Sequence, residues 1–117
     1  MTHAVNLAEK LTIFTDRWSP KIVAYFNGNE VMVVKLEGEF PWHSHAETDD
    51  FFFVLHGHVR IETERGNVEL DPGELYIVPR GVLHRPVAER EAHVMLIETA
   101  GTLNTGNPAT ATVKVEL

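Results

Sequence analysis

Turn-forming residues cut this chain into short extended pieces, and that punctuation limits its fold more than any other feature. Asn27-Gly28-Asn29-Glu30, Arg65-Gly66-Asn67, Asp71-Pro72-Gly73 and Pro79-Arg80-Gly81 are all turn signals. Lys21–Phe26 and Val31–Leu36 flank the first of them, which predicts a hairpin. In Val59–Thr63 the side chains of Val59, Ile61 and Thr63 share one face, and Arg60, Glu62 and Glu64 share the other. Val68–Leu70 and Leu75–Val78 follow as further strands. Ala92–Thr99 is a nearly continuous apolar run, the pattern of a strand buried on both faces. Near the end, Val113, Val115 and Leu117 alternate with Thr112, Lys114 and Glu116. Only Asn6–Leu11 reads as a helical turn. Many short strands with no long helical period predict an all-β sandwich or small barrel.

The 117 residues suit one domain with a real hydrophobic core. No internal repeat or second-domain linker interrupts them, and Gly101–Pro108 is a loop. The net charge of −7, with no lysine or arginine cluster, argues against nucleic acid or an anionic membrane as a partner. There is no cysteine, so disulfides, thiolate nucleophiles and cysteine-type zinc sites are excluded. Met1 to Phe14 contains Glu9 and Lys10 and lacks the apolar core of a secretory signal. No run is long enough to span a membrane, so a soluble cytoplasmic protein is expected. Val31–Leu36 and Phe51–Leu55 are apolar on both faces. One face must line the interior, and the other must meet a second sheet or a second subunit, so a homodimer is expected.

Chemistry concentrates in Trp42-His43-Ser44-His45-Ala46-Glu47-Thr48-Asp49-Asp50 and again at His84. In an extended chain His43 and His45 point to one side, with Cα atoms roughly 6.6 Å apart. Two imidazoles at that spacing can share one ion at about 2.0–2.1 Å from each nitrogen. A carboxylate and a third histidine from neighbouring strands complete a mixed nitrogen and oxygen site that suits a divalent transition metal.

These residues form two motifs, and through them the chain resembles the cupin superfamily, in particular its small single-domain members. The first motif runs through Gly38, His43, His45, Asp50 and Gly57, and the second through Gly73, Pro79, Gly81 and His84. The resemblance covers roughly residues 30–99. It implies a double-stranded β-helix, or jelly-roll barrel, with a short N-terminal helical turn. Residues 1–117 then form one cupin domain, and 100–117 supply a C-terminal loop and strand. It also implies one divalent metal ion per chain, held by His43, His45, Asp50 and His84. The chain departs from the family at three points. The spacer from Gly38 to His43 is one residue short, the acid is Asp where the family has Glu, and Ala88 stands at the closing Asn.

Counting back six intervening residues from Gly57 gives Asp50 as the acid, and parity agrees if Asp50, Phe52 and Val54 face inward. Asp49 then shares the outer face with Phe51 and Phe53 as a solvated turn residue. Asp reaches one methylene less than Glu. Two arrangements therefore remain, one with Asp50 as a ligand and one with three histidines and a water bridging to the acid.

Around this centre Phe52 and Tyr76 are candidate pocket walls, and Phe40 and Trp42 can edge its mouth. Arg80 and Arg85 flank the second motif, where they either capture an anionic group or remain surface charge. Glu98 ends a buried strand, where a carboxylate is costly unless paired, so it is an inner polar partner or it emerges into solvent. His56 and His58 flank a hairpin expected at Gly57 and read as incidental, as do His93 and the tail residue His3.

The ligand set permits zinc, iron(II), nickel, manganese or copper. Three functions fit it. The first is a metal-dependent enzyme acting on a small organic molecule, with dioxygenase- or isomerase-type chemistry; such cupins are often grouped with mannose-6-phosphate isomerase-like proteins. The second is a non-catalytic, metal-dependent ligand-binding or sensing module, and the third a purely structural metal site.

Overall fold

A computed structural model describes residues 3–117. A five-residue helix, α1 (Leu7–Leu11), precedes eight strands. These are β1 (Lys21–Phe26), β2 (Asn29–Glu39), β3 (Asp50–His56), β4 (Val59–Thr63), β5 (Gly66–Leu70), β6 (Leu75–Val78), β7 (His84–Thr99) and β8 (Val115–Glu116). The architecture is a jelly roll whose hydrogen-bonded path, β5-β4-β7-β2-β1-β8, does not close on itself.

The predicted hairpin joins β1 to β2. Phe26 pairs with Asn29, and the two residues between them both have positive φ, 50° at Asn27 and 75° at Gly28. That is the type I′ geometry matching strand twist, and asparagine and glycine adopt it at least cost. Asn6 caps α1, its Oδ1 accepting the Glu9 N–H at 3.0 Å. The helix is too short to stand alone. Leu7 and Leu11 pack with Val5 and Phe14 against Val23 and Val33 on the outer side of the sheet.

The long strand β7 organises the rest. β2 follows one edge of it from Val87 to Thr99. Along the other edge lie β4, opposite His84–Val87, and then β3, opposite His93–Met95. β5 returns along β4, and β6 returns along β3. The expected hairpin at Gly57 is therefore corrected. β3 and β4 both run antiparallel to β7, so the chain continues in one direction through a kink. Gly57 makes the kink with φ +83°, packed so closely that a Cβ would lie 3.0 Å from the Glu91 carbonyl oxygen.

Two further expectations change. β7 begins at His84 instead of Ala92, because Arg85–Ala88 are also paired and the strand runs on through Glu89–Glu91. Its second half is not buried on both faces: Ala92, Val94, Leu96 and Glu98 point inward and are buried, while His93, Met95 and Ile97 are half-buried outside. At the C-terminus only Val115–Glu116 pairs, parallel to β1, and Val113 is 80% exposed. The interior is built from Met32, Val34, Leu36, Phe52, Val54, Val59, Ile61, Val78 and Val94. No helix among the described residues is long and apolar enough to cross a membrane.

Candidate metal centre

The two motifs meet through backbone hydrogen bonds. His43 N–H donates to the His84 carbonyl at 3.0 Å, and His84 N–H donates back at 2.9 Å. Residues paired in this way project to the same face, and the two imidazole centroids are 4.4 Å apart. Gly81, at φ +80°, donates its N–H to the His45 carbonyl at 2.8 Å and so ties the second motif to the first. The stretch from His43 to Asp50 is not a regular strand, yet its alternation survives, with His43 and His45 buried and Ser44 exposed. Asp50 opens β3 opposite Val78 and faces inward.

His43, His45, Asp50 and His84 thus converge, all buried, with one potential ligand atom from each lying within 4.8 Å of the others. Asp50 Oδ2 is the common point, 2.8 Å from His84 Nε2, 3.4 Å from His45 Nε2 and 3.7 Å from His43 Nε2.

The tautomers decide what this cluster wants. His43 Nδ1 donates to the Pro41 carbonyl at 2.9 Å, and His84 Nδ1 donates to the Val82 carbonyl at 2.8 Å. A carbonyl accepts only, so each Nδ1 carries a proton, and each ring points its Nε2 toward Asp50 as the atom that can ligate a metal. His45 Nε2 has no hydrogen-bond partner at all, although it is buried. An orphaned buried polar atom costs about 1–3 kcal/mol. A cation among the four groups would use one donor atom from each, the orphaned Nε2 included, so the donor set fits a divalent metal. Burial opposes the charge on Asp50, but the three imidazoles gathered around its Oδ2 outweigh it and hold the carboxyl well below the usual carboxylate range. Burial would lower the pKa of His45, and the neighbouring Asp50 reverses this to a net rise.

Beside the cluster lies a small cavity of about 40 Å³ that opens to solvent. Trp18, Pro20, Val34, Leu36, Phe40, Phe52, Pro86 and Leu96 make its walls apolar, and its polar groups are His43, Asp50, Glu98 and Asn104. Trp18 and Phe40 stack with centroids 5.1 Å apart, and Phe40 meets His43 edge-on.

Phe40 and Phe52 therefore border the cavity, whereas Tyr76, Arg80, Trp42 and Arg85 do not. Tyr76 packs against the core. Arg80 lies on the surface, its Nε 3.6 Å from Asp49 Oδ1, which also accepts the Arg80 backbone N–H. Arg85 pairs with Glu62 and Glu39 and covers the Trp42 ring. The exposed His56 and His58 lie away from the centre, as does His93, and His3 is exposed.

Sequence reasoning missed Trp18, Pro20 and Asn104. They precede β1 or follow β7, far from both motifs, and no local pattern marks them. Asn104 belongs to a C-terminal strap that crosses the mouth. Its Nδ2 donates to Thr112 Oγ1 at 2.6 Å, and Thr112 Oγ1 donates to the Trp18 carbonyl at 3.1 Å. Burial first, then Asp50, pushes the Glu98 carboxyl up, and Lys114 only partly offsets the rise.

A family model described as Cupin domain matches residues 30–99. A cupin-2 domain containing protein from Shewanella frigidimarina NCIMB 400 is 41% identical, with 81% of this chain and 93% of that one covered, at a TM-score of 0.80. A protein from Neisseria meningitidis is 30% identical over 84% of this chain and 100% of its own, at 0.75. A hydroquinone 1,2-dioxygenase in complex with Cd2+ and 4-hydroxybenzonitrile shares the fold at 0.73, with 22% identity over 94% of this chain and 76% of that one.

Proposed function

Because the chain belongs to the cupin domain family, we propose that it holds one divalent transition metal ion on His43, His45, Asp50 and His84 and receives a small, largely apolar organic molecule beside it. The observation that carries this reading is the buried, unpartnered His45 Nε2, flanked by two imidazoles whose Nδ1 protons are committed to backbone carbonyls. His43, His45, Asp50 and His84 would hold the ion, which would supply Lewis-acid or redox chemistry to a ligand in the adjoining cavity. The apolar walls exclude water and orient the ligand toward the ion.

Dioxygenase-type chemistry on an aromatic molecule suits this cavity best among the enzymatic readings. Aromatic and aliphatic walls favour a flat ring, and the structural neighbour bound to 4-hydroxybenzonitrile is a hydroquinone dioxygenase. Isomerisation of a sugar phosphate is a poorer fit, because no arginine or lysine borders the cavity and Arg80 and Arg85 are engaged elsewhere. A binding or sensing module is the second reading. It is favoured because the one ionisable group in the cavity outside the metal set, Glu98, is already tied to Lys114.

Elemental analysis tests the site. His43→Ala and His45→Ala abolish stoichiometric metal, and His56→Ala retains it; full retention in His43→Ala would sink the assignment. Oxygen uptake with simple phenols by the iron(II)-loaded protein separates the two functional readings, since tight binding without uptake selects the module.

We also infer a homodimer. Leu75 and Ile77 are 53% and 45% exposed on β6, next to half-buried Phe51 and Phe53 on β3, so an apolar stripe lies on the outer face of the sheet.

A further inference from the structure

Glu98 is 93% buried by its 7% exposure, and only part of its bonding capacity is used. It lies on β7 opposite Glu30 of β2, and Lys114 from the C-terminal strap serves both acids. The ammonium donates to Glu30 Oε1 at 2.8 Å and to Glu98 Oε2 at 3.1 Å. One cation is thus shared by two buried carboxyl groups. Glu98 Oε1 accepts no hydrogen bond from any described residue, and it is not among the fully buried unpartnered atoms, so it remains open to solvent or a ligand.

Glu98 and Glu30 differ in what they face. Glu98 borders the cavity beside the metal centre, and Glu30 does not. The register of β3 with β7, Phe53 opposite Met95 and Val54 opposite Val94, runs on toward Asp50 and Glu98 as the strands separate. Both acids are buried and both border the cavity, so the Glu98 carboxyl group shares the cavity wall with Asp50. The only other polar side chain on the wall outside the metal set is Asn104, whose amide nitrogen and oxygen are both bonded to Thr112.

We propose that Glu98 is the specificity-determining residue of this cavity and that its free carboxylate oxygen accepts a hydrogen bond from the ligand. The ligand class is then a neutral, flat molecule with two polar groups: an oxygen that binds the metal, and a separate O–H or N–H donor that Glu98 reads. An anionic second group is rejected, because no lysine or arginine borders the cavity and its wall already carries the acids Asp50 and Glu98. Lys114 acts as a positioning residue, fixing the Glu98 rotamer from behind. This assignment rests on the reading of the site as a metal centre open to a small organic ligand.

The test uses the full chain loaded with Zn2+, which is redox-inert, and measures affinities by calorimetry. The probes are catechol, resorcinol, hydroquinone and the monomethyl ether of each, which keeps one hydroxyl and removes the second donor. The wild type prefers at least one diol over its ether by about ten- to hundred-fold, the range for a hydrogen bond to a charged group. In Glu98→Leu that preference disappears, while the affinity for the ether is kept. Glu30→Gln disturbs the same lysine without touching the cavity, and it keeps the preference. A merely structural role for Glu98 predicts instead that Glu30→Gln and Glu98→Leu behave alike. Equal diol-to-ether ratios in wild type and Glu98→Leu, or wild-type ratios near one for all three pairs, overturn the assignment of Glu98 alone. Failure of every probe to bind the loaded wild type overturns the ligand-binding reading of the site together with it.

Discussion

Removing and restoring the metal is the most direct perturbation of this protein, and its size follows from the site. Without an ion, three imidazole nitrogens crowd one carboxylate oxygen at 2.8–3.7 Å, and His45 Nε2 is orphaned. The main core of Met32, Val54, Ile61, Val78 and Val94 is complete without the ion. Chelation is therefore expected to leave a folded apo protein of lower stability, not an unfolded chain. A metal that binds only the folded state adds about 2.7 kcal/mol at one hundred times its Kd. A domain of this length has an unfolding entropy of roughly 250 cal/mol/K, so the midpoint should rise by about 11 °C. Scanning calorimetry after chelator treatment, with and without Zn2+, Co2+, Ni2+ or Mn2+, measures the rise. His84→Ala deletes the donor nearest Asp50 Oδ2, and its metal-dependent rise should fall below about 3 °C, whereas His56→Ala should keep the full rise. The reasoning is refuted if no divalent ion raises the midpoint of the wild type, or if His84→Ala responds as strongly. Unfolding on chelation alone would instead identify a structural metal.

Three other outcomes follow from the coordinates. Gly57→Ala places a Cβ 3.0–3.1 Å from Glu91 and Ala92 at φ +83°, and chemical denaturation should show a loss of about 2–4 kcal/mol; a loss under about 0.5 kcal/mol would refute the tight kink. His58 is gripped first by Asp71 and then by Glu69, which raises its pKa above the ordinary 6.5. The stabilisation is thus fully present below 6.5 and is lost as pH rises through the raised value, so the midpoint gap between wild type and His58→Gln should shrink with rising pH, and a gap that widens would contradict the sign. The apolar stripe on β3 and β6 predicts a dimer in sedimentation velocity that Ile77→Glu shifts to monomer; a monomeric wild type would remove that surface from consideration.

The period-two pattern, the turn residues and the motif spacing are local properties, and they were legible in the sequence. They placed most strands within a few residues, named the hairpin at Asn27-Gly28, and selected Asp50 over Asp49 as the inward acid through strand parity. His43, His45 and His84 could be grouped because both motifs carry their own glycines, and those glycines set the backbone course. The neighbours across the fold were not legible. Only the course of β7 past β2, β3 and β4 made the kink at Gly57, where the sequence suggested a hairpin. Arg80 and Arg85 read either as anion clamps or as surface charge, and tertiary pairing gave them Asp49, Glu62 and Glu39. Trp18 and Asn104 reach the cavity from segments with no pattern of their own, and the alternation around Lys114 does not tell that its ammonium meets Glu98. A sequence determines which face of its own strand a side chain takes, because alternation is set by covalent geometry. Which group stands opposite depends on register between distant strands, and only the packed chain decided that Glu98 shares a wall with the metal centre.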